Sequence, residues 1–149
     1  MKTIEIINRK ASHLYHFHQT FEAGIQLSGS EVKSIKSGDA NMSDAYCLID
    51  GGEVWLKNMH ISEYKQSMER DYDPKRGRKL LLNRSEIRKI EKKISEKGFT
   101  LIPYRLFVSE RGFIKLDIVV ASGKKAFDKR ESIKERDEKR NLQREFKLK

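Results

Sequence analysis

A mainly β fold, a small barrel with two or three short helices and a basic C-terminal tail, is what the sequence predicts. Three observations carry this reading. Apolar and polar residues alternate over a long stretch from Tyr15, helix-opening signatures stand at Ser28 and Asn83, and two further alternating runs end at Val108 and Val120. The tail stands apart by charge. The 149 residues include 32 Lys or Arg and 22 Asp or Glu, a net charge of +10. Residues 124–149 alone hold 11 cations and 6 anions, half of that excess in about a sixth of the chain. Charged residues reach 36%, against ~25% in an ordinary globular domain. The expected division is a folded domain over residues 1–123 and a tail over 124–149.

The first strand is the clearest element. Its odd positions read Tyr15, Phe17, Gln19, Phe21, Ala23, Ile25 and Leu27, while the even ones carry His16, His18, Thr20 and Glu22. Period two over some fourteen residues predicts a half-buried strand, odd residues inward, bending at Gly24. Ser28-Gly29-Ser30-Glu31 has capping-box spacing; Val32 and Ile35 continue a short helix that Gly38 stops. Residues 46–49 and 54–56 read as strands joined through Asp50-Gly51-Gly52, with Met59 and Ile61 extending the second. Residues 65–79 read as a long polar loop broken by Asp73-Pro74 and Gly77, uncommon in a compact domain and often functional. Asn83-Arg84-Ser85-Glu86 opens a second helix, with Ile87, Ile90 and Ile94 on one face and Lys97-Gly98 closing it. Ile102, Tyr104, Leu106 and Val108, then Ile114, Leu116, Ile118 and Val120, form two strands turned at Ser109-Glu110-Arg111-Gly112. Five or six strands and two helices in ~120 residues fit a closed or nearly closed barrel of the oligonucleotide-binding type.

Several function classes fall away. No apolar run approaches the ~18–20 residues of a bilayer span, and the first ten residues lack the shape of a secretory signal, so a cytoplasmic protein with no membrane partner is expected. The single cysteine, Cys47, excludes an internal disulfide and any Cys-based zinc cluster. Between Tyr46 and Leu48 on a predicted strand it reads as a buried, inert thiol. His13, His16 and His18 raise a metal site, but no carboxylate or cysteine completes a ligand pattern. There is no glycine loop ending in Lys-Ser/Thr and no Ser-His-Asp order, so neither a cofactor nor catalysis is expected.

A nucleic-acid partner has positive support. Basic pairs stand at Arg9-Lys10, Lys75-Arg76, Arg78-Lys79, Lys124-Lys125 and Lys129-Arg130, mostly at predicted loops and element ends. Such cations give salt-dependent affinity for phosphates but little sequence specificity. His13, Tyr15 and His16 offer π faces on which unstacked bases can lie, although Tyr15 equally begins the apolar face of its strand. Glu22 either accepts hydrogen bonds from a base edge or pairs with a neighbouring Lys. The tail has too few apolar residues to offset the entropy of ordering alone. It is either a segment that folds on a polyanion or a solvated charge run.

The order of short motifs adds a resemblance. Asn8-Arg9-Lys10-Ala11 with His13 and Tyr15, then Phe21-Glu22-Ala23-Gly24-Ile25, Gly29-Ser30-Glu31-Val32-Lys33-Ser34 and Asn41-Met42-Ser43-Asp44-Ala45-Tyr46 come in sequence. Asp73-Pro74, Arg78-Lys79-Leu80-Leu81-Leu82-Asn83 and Gly123-Lys124-Lys125 leading to Asp128-Lys129-Arg130 complete the series. Nearly the whole chain thereby resembles the small protein B family of bacterial ribosome rescue. The resemblance implies an oligonucleotide-binding-type barrel holding the tRNA-like domain of transfer-messenger RNA. It implies RNA contacts at Asn8, Arg9, Lys10, His13, Tyr15, Glu22, Arg78, Lys79, Leu80, Leu82 and Asn83, beside the basic Lys124 and Lys125. It implies a tail that becomes helical in the decoding centre and empty messenger channel of the ribosome, through Asp128, Lys129, Arg130, Ile133, Lys134 and Arg136. Elongation factor Tu would accompany the RNA complex. After Arg136 the run Asp137-Glu138-Lys139-Arg140 lacks an aromatic residue that some relatives carry there. A generic single-strand-binding barrel and a histidine-based metal nuclease are the rival expectations.

Overall fold

The computed structural model describes residues 4–64 and 71–124. Lys125 and the tail residues Asp128, Lys129, Arg130, Ile133, Lys134 and Arg136 lie outside these, as does part of the long loop. The elements are β1 (Glu5–Ile7), α1 (Arg9–Leu14), β2 (Tyr15–Ile25), α2 (Gly29–Lys36), β3 (Ala40–Asn41) and β4 (Tyr46–Asp50). There follow β5 (Glu53–Lys57), β6 (His60–Ile61), β7 (Arg78–Leu81), α3 (Arg84–Ile94), β8 (Phe99–Val108) and β9 (Ile114–Gly123).

Both helix-opening signatures form as spaced. Ser28 Oγ accepts from the Glu31 amide while Glu31 Oε1 accepts from the Ser28 amide, and Asn83 and Glu86 do the same at α3. The β4–β5 turn places Gly51 at φ +61° and Gly52 at φ +75°, the doubly left-handed geometry of a type I′ hairpin that side chains resist. Met59 and Ile61 do not extend β5. Asn58, at φ +62°, breaks the strand, and His60–Ile61 pair instead with Ala40–Asn41 in a separate two-stranded ladder.

The other seven strands form one antiparallel sheet in the order β1-β8-β9-β2-β7-β5-β4. It curls until β4 packs against β8, but no ladder joins these strands among the described residues. The sheet is therefore not closed into a barrel; of the closed and nearly closed forms that the sequence allows, the closed one does not form. The edge of β8 that would receive β4 is partly taken by β1, paired to it from Arg105 to Phe107. Inside the curl lies the main core, built from Phe21, Ala23 and Ile25 of β2, Leu80 of β7, Ile90 of α3, and the apolar faces of β5, β8 and β9. Cys47 is part of it, and burial pushes its thiol far above the ordinary range, which keeps it unreactive.

The strongest departure from expectation is β7. Residues 78–81 form a strand, so that 78 and 79 leave the expected loop, and Arg78 is fully buried. Its Nε donates to Glu31 Oε2 (2.7 Å), Nη1 to the carbonyls of Met59 (2.8 Å) and Arg76 (3.2 Å), and Nη2 to the carbonyl of Pro74 (3.1 Å) and the hydroxyl of Tyr72 (3.3 Å). All five guanidinium donors are used. Glu31, equally buried, also receives Arg76, while the Tyr72 hydroxyl donates to the Ile61 carbonyl (2.8 Å). One carboxylate thus caps α2 and ties it to β7 and the loop before it.

Burial alone would raise the Glu31 pKa, but hydrogen bonds from Arg76, the Ser28 amide and Arg78, with the Arg78 charge, lower it from 4.5 to about 2. A folded pKa below the unfolded one stabilises the fold fully above about pH 4.5, and that support is lost as the pH falls toward 2. The Glu31→Gln variant should lose about 3–5 kcal/mol in urea denaturation at neutral pH, because it leaves a buried arginine unpaired. Its stability should also fall less steeply with acid than the parent's. An acid limb identical to the parent's would show that Glu31 does not carry this dependence.

Candidate nucleic-acid interface

Two β-bulges decide which side chains share the outer face of the sheet. In β2 the ladder to β9 shifts between Phe17 and Gln19, so that His18 is the extra residue. Beyond the bulge Phe21 and Ala23 lie opposite Ile118 and Leu116 of the core, and Glu22 lies opposite Asp117. Before it the phase is reversed. Phe17 lies opposite Ala121, which with Ala11, Ile102 and Val119 forms a second, smaller apolar cluster on the outer side, packed by Tyr15 and Tyr104. The prediction that all odd residues from Tyr15 face one core is therefore corrected: Tyr15 and Phe17 share the outer side with Glu22. A second shift in β8, between Pro103 and Arg105, makes Tyr104 the extra residue there. The Tyr104 ring meets Phe17 edge-on at 5.0 Å.

Helix α1, invisible in the sequence pattern, lies on this outer cluster through Ala11. Asn8 fixes its start from a buried position, with its amide on the Tyr104 carbonyl (2.7 Å) and Nδ2 on the Pro103 carbonyl (3.0 Å). Asn8 is thus a brace whose side chain the protein encloses. Lys124 fixes the other end: its amide donates to the Leu14 carbonyl (2.9 Å) and its Nζ to the Ser12 carbonyl (3.1 Å), satisfying carbonyls that a helix end leaves open. The folded body therefore runs through Lys124. Between these anchors Arg9 and Lys10 are exposed, and His13 sits half-buried in the last turn.

Across the sheet from α1 runs a charged row. Glu22, Asp117, Arg105 and Ile7 are successive partners on β2, β9, β8 and β1. Arg105 lies over the Phe107 ring at 4.2 Å and is bound by Glu5 (3.0 Å) and Asp117 (3.5 Å). Partial burial, with repulsion from Glu22 and Glu5, holds the Asp117 pKa above its ordinary value despite that pair. Glu22 is exposed and has no ion-pair partner among the described residues. Its cross-strand neighbour is an acid, Asp117, and the pairing with a lysine that the sequence left open does not form among the described residues.

The β7 residues divide by phase. Arg78 and Leu80, among the expected contacts, point into the interior and are buried. Lys79 is half-buried and paired with Glu53 (2.7 Å), and Leu82 is half-buried against the core. Asn83 is exposed, with Oδ1 engaged as the α3 cap. Leu81, absent from the expected list, is 52% exposed and lies opposite Gly24, two residues from Glu22. A Cβ on Gly24 would sit 3.2 Å from that of Leu81, so the glycine is what lets this leucine cross β2. Three consecutive leucines cannot be phased from sequence alone; pairing with β2 does it.

His18 Nε2 is 2.8 Å from Ser122 Oγ and its ring meets Phe99 edge-on at 4.8 Å. Among the described residues no three His, Cys, Asp or Glu are grouped to hold a metal ion. No helix described is long and apolar enough to cross a membrane.

Comparison with known proteins places the chain in a family. A family model described as SmpB protein matches residues 5–148. The SsrA-binding protein of Phocaeicola vulgatus is 49% identical over 144 residues, 97% of this chain and 96% of that one. That of Chlorobaculum tepidum is 50% identical over 138 residues, 93% and 88% of the two chains. A solved structure described as "tmRNA-SmpB: a journey to the center of the bacterial ribosome" superposes with a TM-score of 0.70 at 38% identity, covering 87% of this chain and 94% of that one. With a family model matching residues 5–148 and a relative 49% identical over 97% of its length, the chain belongs to the SmpB protein family.

Proposed function

We propose that this chain binds the tRNA-like domain of transfer-messenger RNA on the outer face of its sheet and delivers that RNA, with elongation factor Tu, to ribosomes stalled without a codon. The observation that carries the reading is convergence. The bulge at His18 and the packing of α1 bring Arg9, Lys10, His13, Tyr15 and Glu22 onto one side of a chain whose relatives are named as SsrA-binding proteins. Arg9 and Lys10 supply phosphate contacts, and Tyr15 with Phe17 supplies apolar and π surface for unstacked nucleotides. Glu22 accepts hydrogen bonds from base amino or imino groups, a preference that charge alone does not provide. Leu81 extends the same surface. Asn8, Arg78 and Leu80 act from within by holding these groups in place, and Lys124 does so by closing α1. The role is one of binding and carrying; no residue is assigned a catalytic step.

In this reading the tail, including Lys125, Asp128, Lys129, Arg130, Ile133, Lys134 and Arg136, acts on the ribosome in the decoding centre and empty messenger channel, where charge and coupled folding would favour it. Two outcomes follow. Glu22→Ala should weaken binding of the tRNA-like RNA by roughly tenfold to a hundredfold in a filter assay, with an unchanged melting temperature. An unrelated RNA of equal length should compete poorly against the parent protein; equal competition would favour a generic single-strand binder. A chain ending at Lys124 should keep most RNA affinity yet fail to support peptide tagging on stalled ribosomes. Equal loss of RNA binding by that truncation would remove the division of labour.

A further inference from the structure

Beyond Leu81 the surface continues into a groove whose far wall, on α3, belongs to none of the family motifs. It lies between the β4–β5 turn at Gly51 and Gly52, the outer side of β7, and the first turns of α3, with a volume of about 550 Å³. Arg84 and Arg88 line it from α3, and Lys79 and Leu81 line it from β7. Arg84 and Arg88 stand four residues apart on one helix face, about 6 Å along the axis, and Lys92 continues the stripe. Both arginines are exposed and without an ion-pair partner among the described residues. The anions at the groove are Glu53, which holds Lys79 at 2.7 Å, and Glu91.

Arg84 is also in the wrong place for helix stability. It is the first residue of α3, where the helix dipole favours acids and opposes a cation. The capping box takes up the amides of Asn83 and Glu86 at this helix start and leaves the Arg84 side chain outside it. A cation kept against the local preference, beside a second one and facing a groove, indicates an anion from outside the chain. Continuity with the Glu22 surface through Gly24 and Leu81 identifies which anion.

Resting on the reading above, we infer that Arg84 and Arg88 form a second phosphate clamp, which holds the sugar–phosphate backbone of the same RNA where it leaves the Glu22 surface. The two arginines contact two phosphates, and the hairpin turn, having no side chains at Gly51 and Gly52, lets the backbone approach. Glu91 opposes the clamp by repulsion.

The full-length protein with the tRNA-like domain of transfer-messenger RNA as probe tests this, with binding measured over a series of salt concentrations. For the double variant Arg84→Gln, Arg88→Gln the slope of log K against log salt should become shallower by about 1.4–1.8, as expected for two lost phosphate contacts. Glu91→Gln should tighten binding severalfold at low salt, a gain that a damaged fold does not produce. A double variant with an unchanged slope overturns the clamp. If Glu22→Ala still weakens binding in that case, the outer-face reading stands without the clamp. If Glu22→Ala is also silent, both fail together.

Discussion

A fully charged arginine enclosed by protein is tolerated only if its charge is matched and every donor has an acceptor, and Arg78 meets both conditions. The partner carboxylate, Glu31, belongs to the capping box of α2, and the remaining acceptors are carbonyls of Met59, Pro74 and Arg76 with the hydroxyl of Tyr72. Segments far apart in sequence are therefore fixed about one guanidinium. The consequence reaches the surface. Once Arg78 is directed inward, the alternation of a strand directs Leu80 inward as well and leaves Lys79 and Leu81 on the other side. The outer face owes its β7 wall to this buried pair.

The same logic explains what was legible beforehand. Helices α2 and α3 announce themselves because capping boxes are local: the residues that signal the helix are those that make its hydrogen bonds. The β4–β5 hairpin and the β8–β9 pair are local in the same sense, through Gly51-Gly52 and through the Ser109–Phe113 turn. What could not be read was non-local. The bulges at His18 and Tyr104 appear only when a strand meets its partner, and the first of them reverses the faces of Tyr15 and Phe17. Helix α1 has no side-chain cap and one buried residue, so its support comes from Asn8 and Lys124 rather than from its own six residues. Arg78 in a basic run looks like surface until Glu31 is seen against it. Of the outer face, the charge class and the place of Glu22 on the polar side of its strand were legible, while Leu81 and the separation of surface groups from internal braces were not.

Charge in the body is sorted by these contacts. Arg76 and Arg78 are bound to Glu31, Lys79 to Glu53, and Arg105 to Glu5 and Asp117. Residues 1–123 hold 21 cations and 16 anions, but several of those cations act within the fold. Those left facing solvent include Arg9 and Lys10 on α1 and Arg84 and Arg88 on α3, with others at Lys36 on α2 and at Lys75 and Arg111 in loops. Between α1 and α3 lie the aromatic and acidic groups that can discriminate one nucleotide surface from another. In the proposed reading, affinity through phosphates and selection through Tyr15, Phe17 and Glu22 stand side by side.

The central claim is that the outer face, as the bulge at His18 composes it, is the RNA-binding surface. Backbone amide shift mapping of the isotopically labelled chain, free and with the tRNA-like RNA, tests this most directly. The account predicts the largest changes in α1, at Tyr15 and Phe17, and around Glu22 and Leu81, with the ladder between β4 and β5 near Leu48 and Trp55 little affected. Changes centred on that ladder, with α1 and Glu22 unmoved, would contradict it.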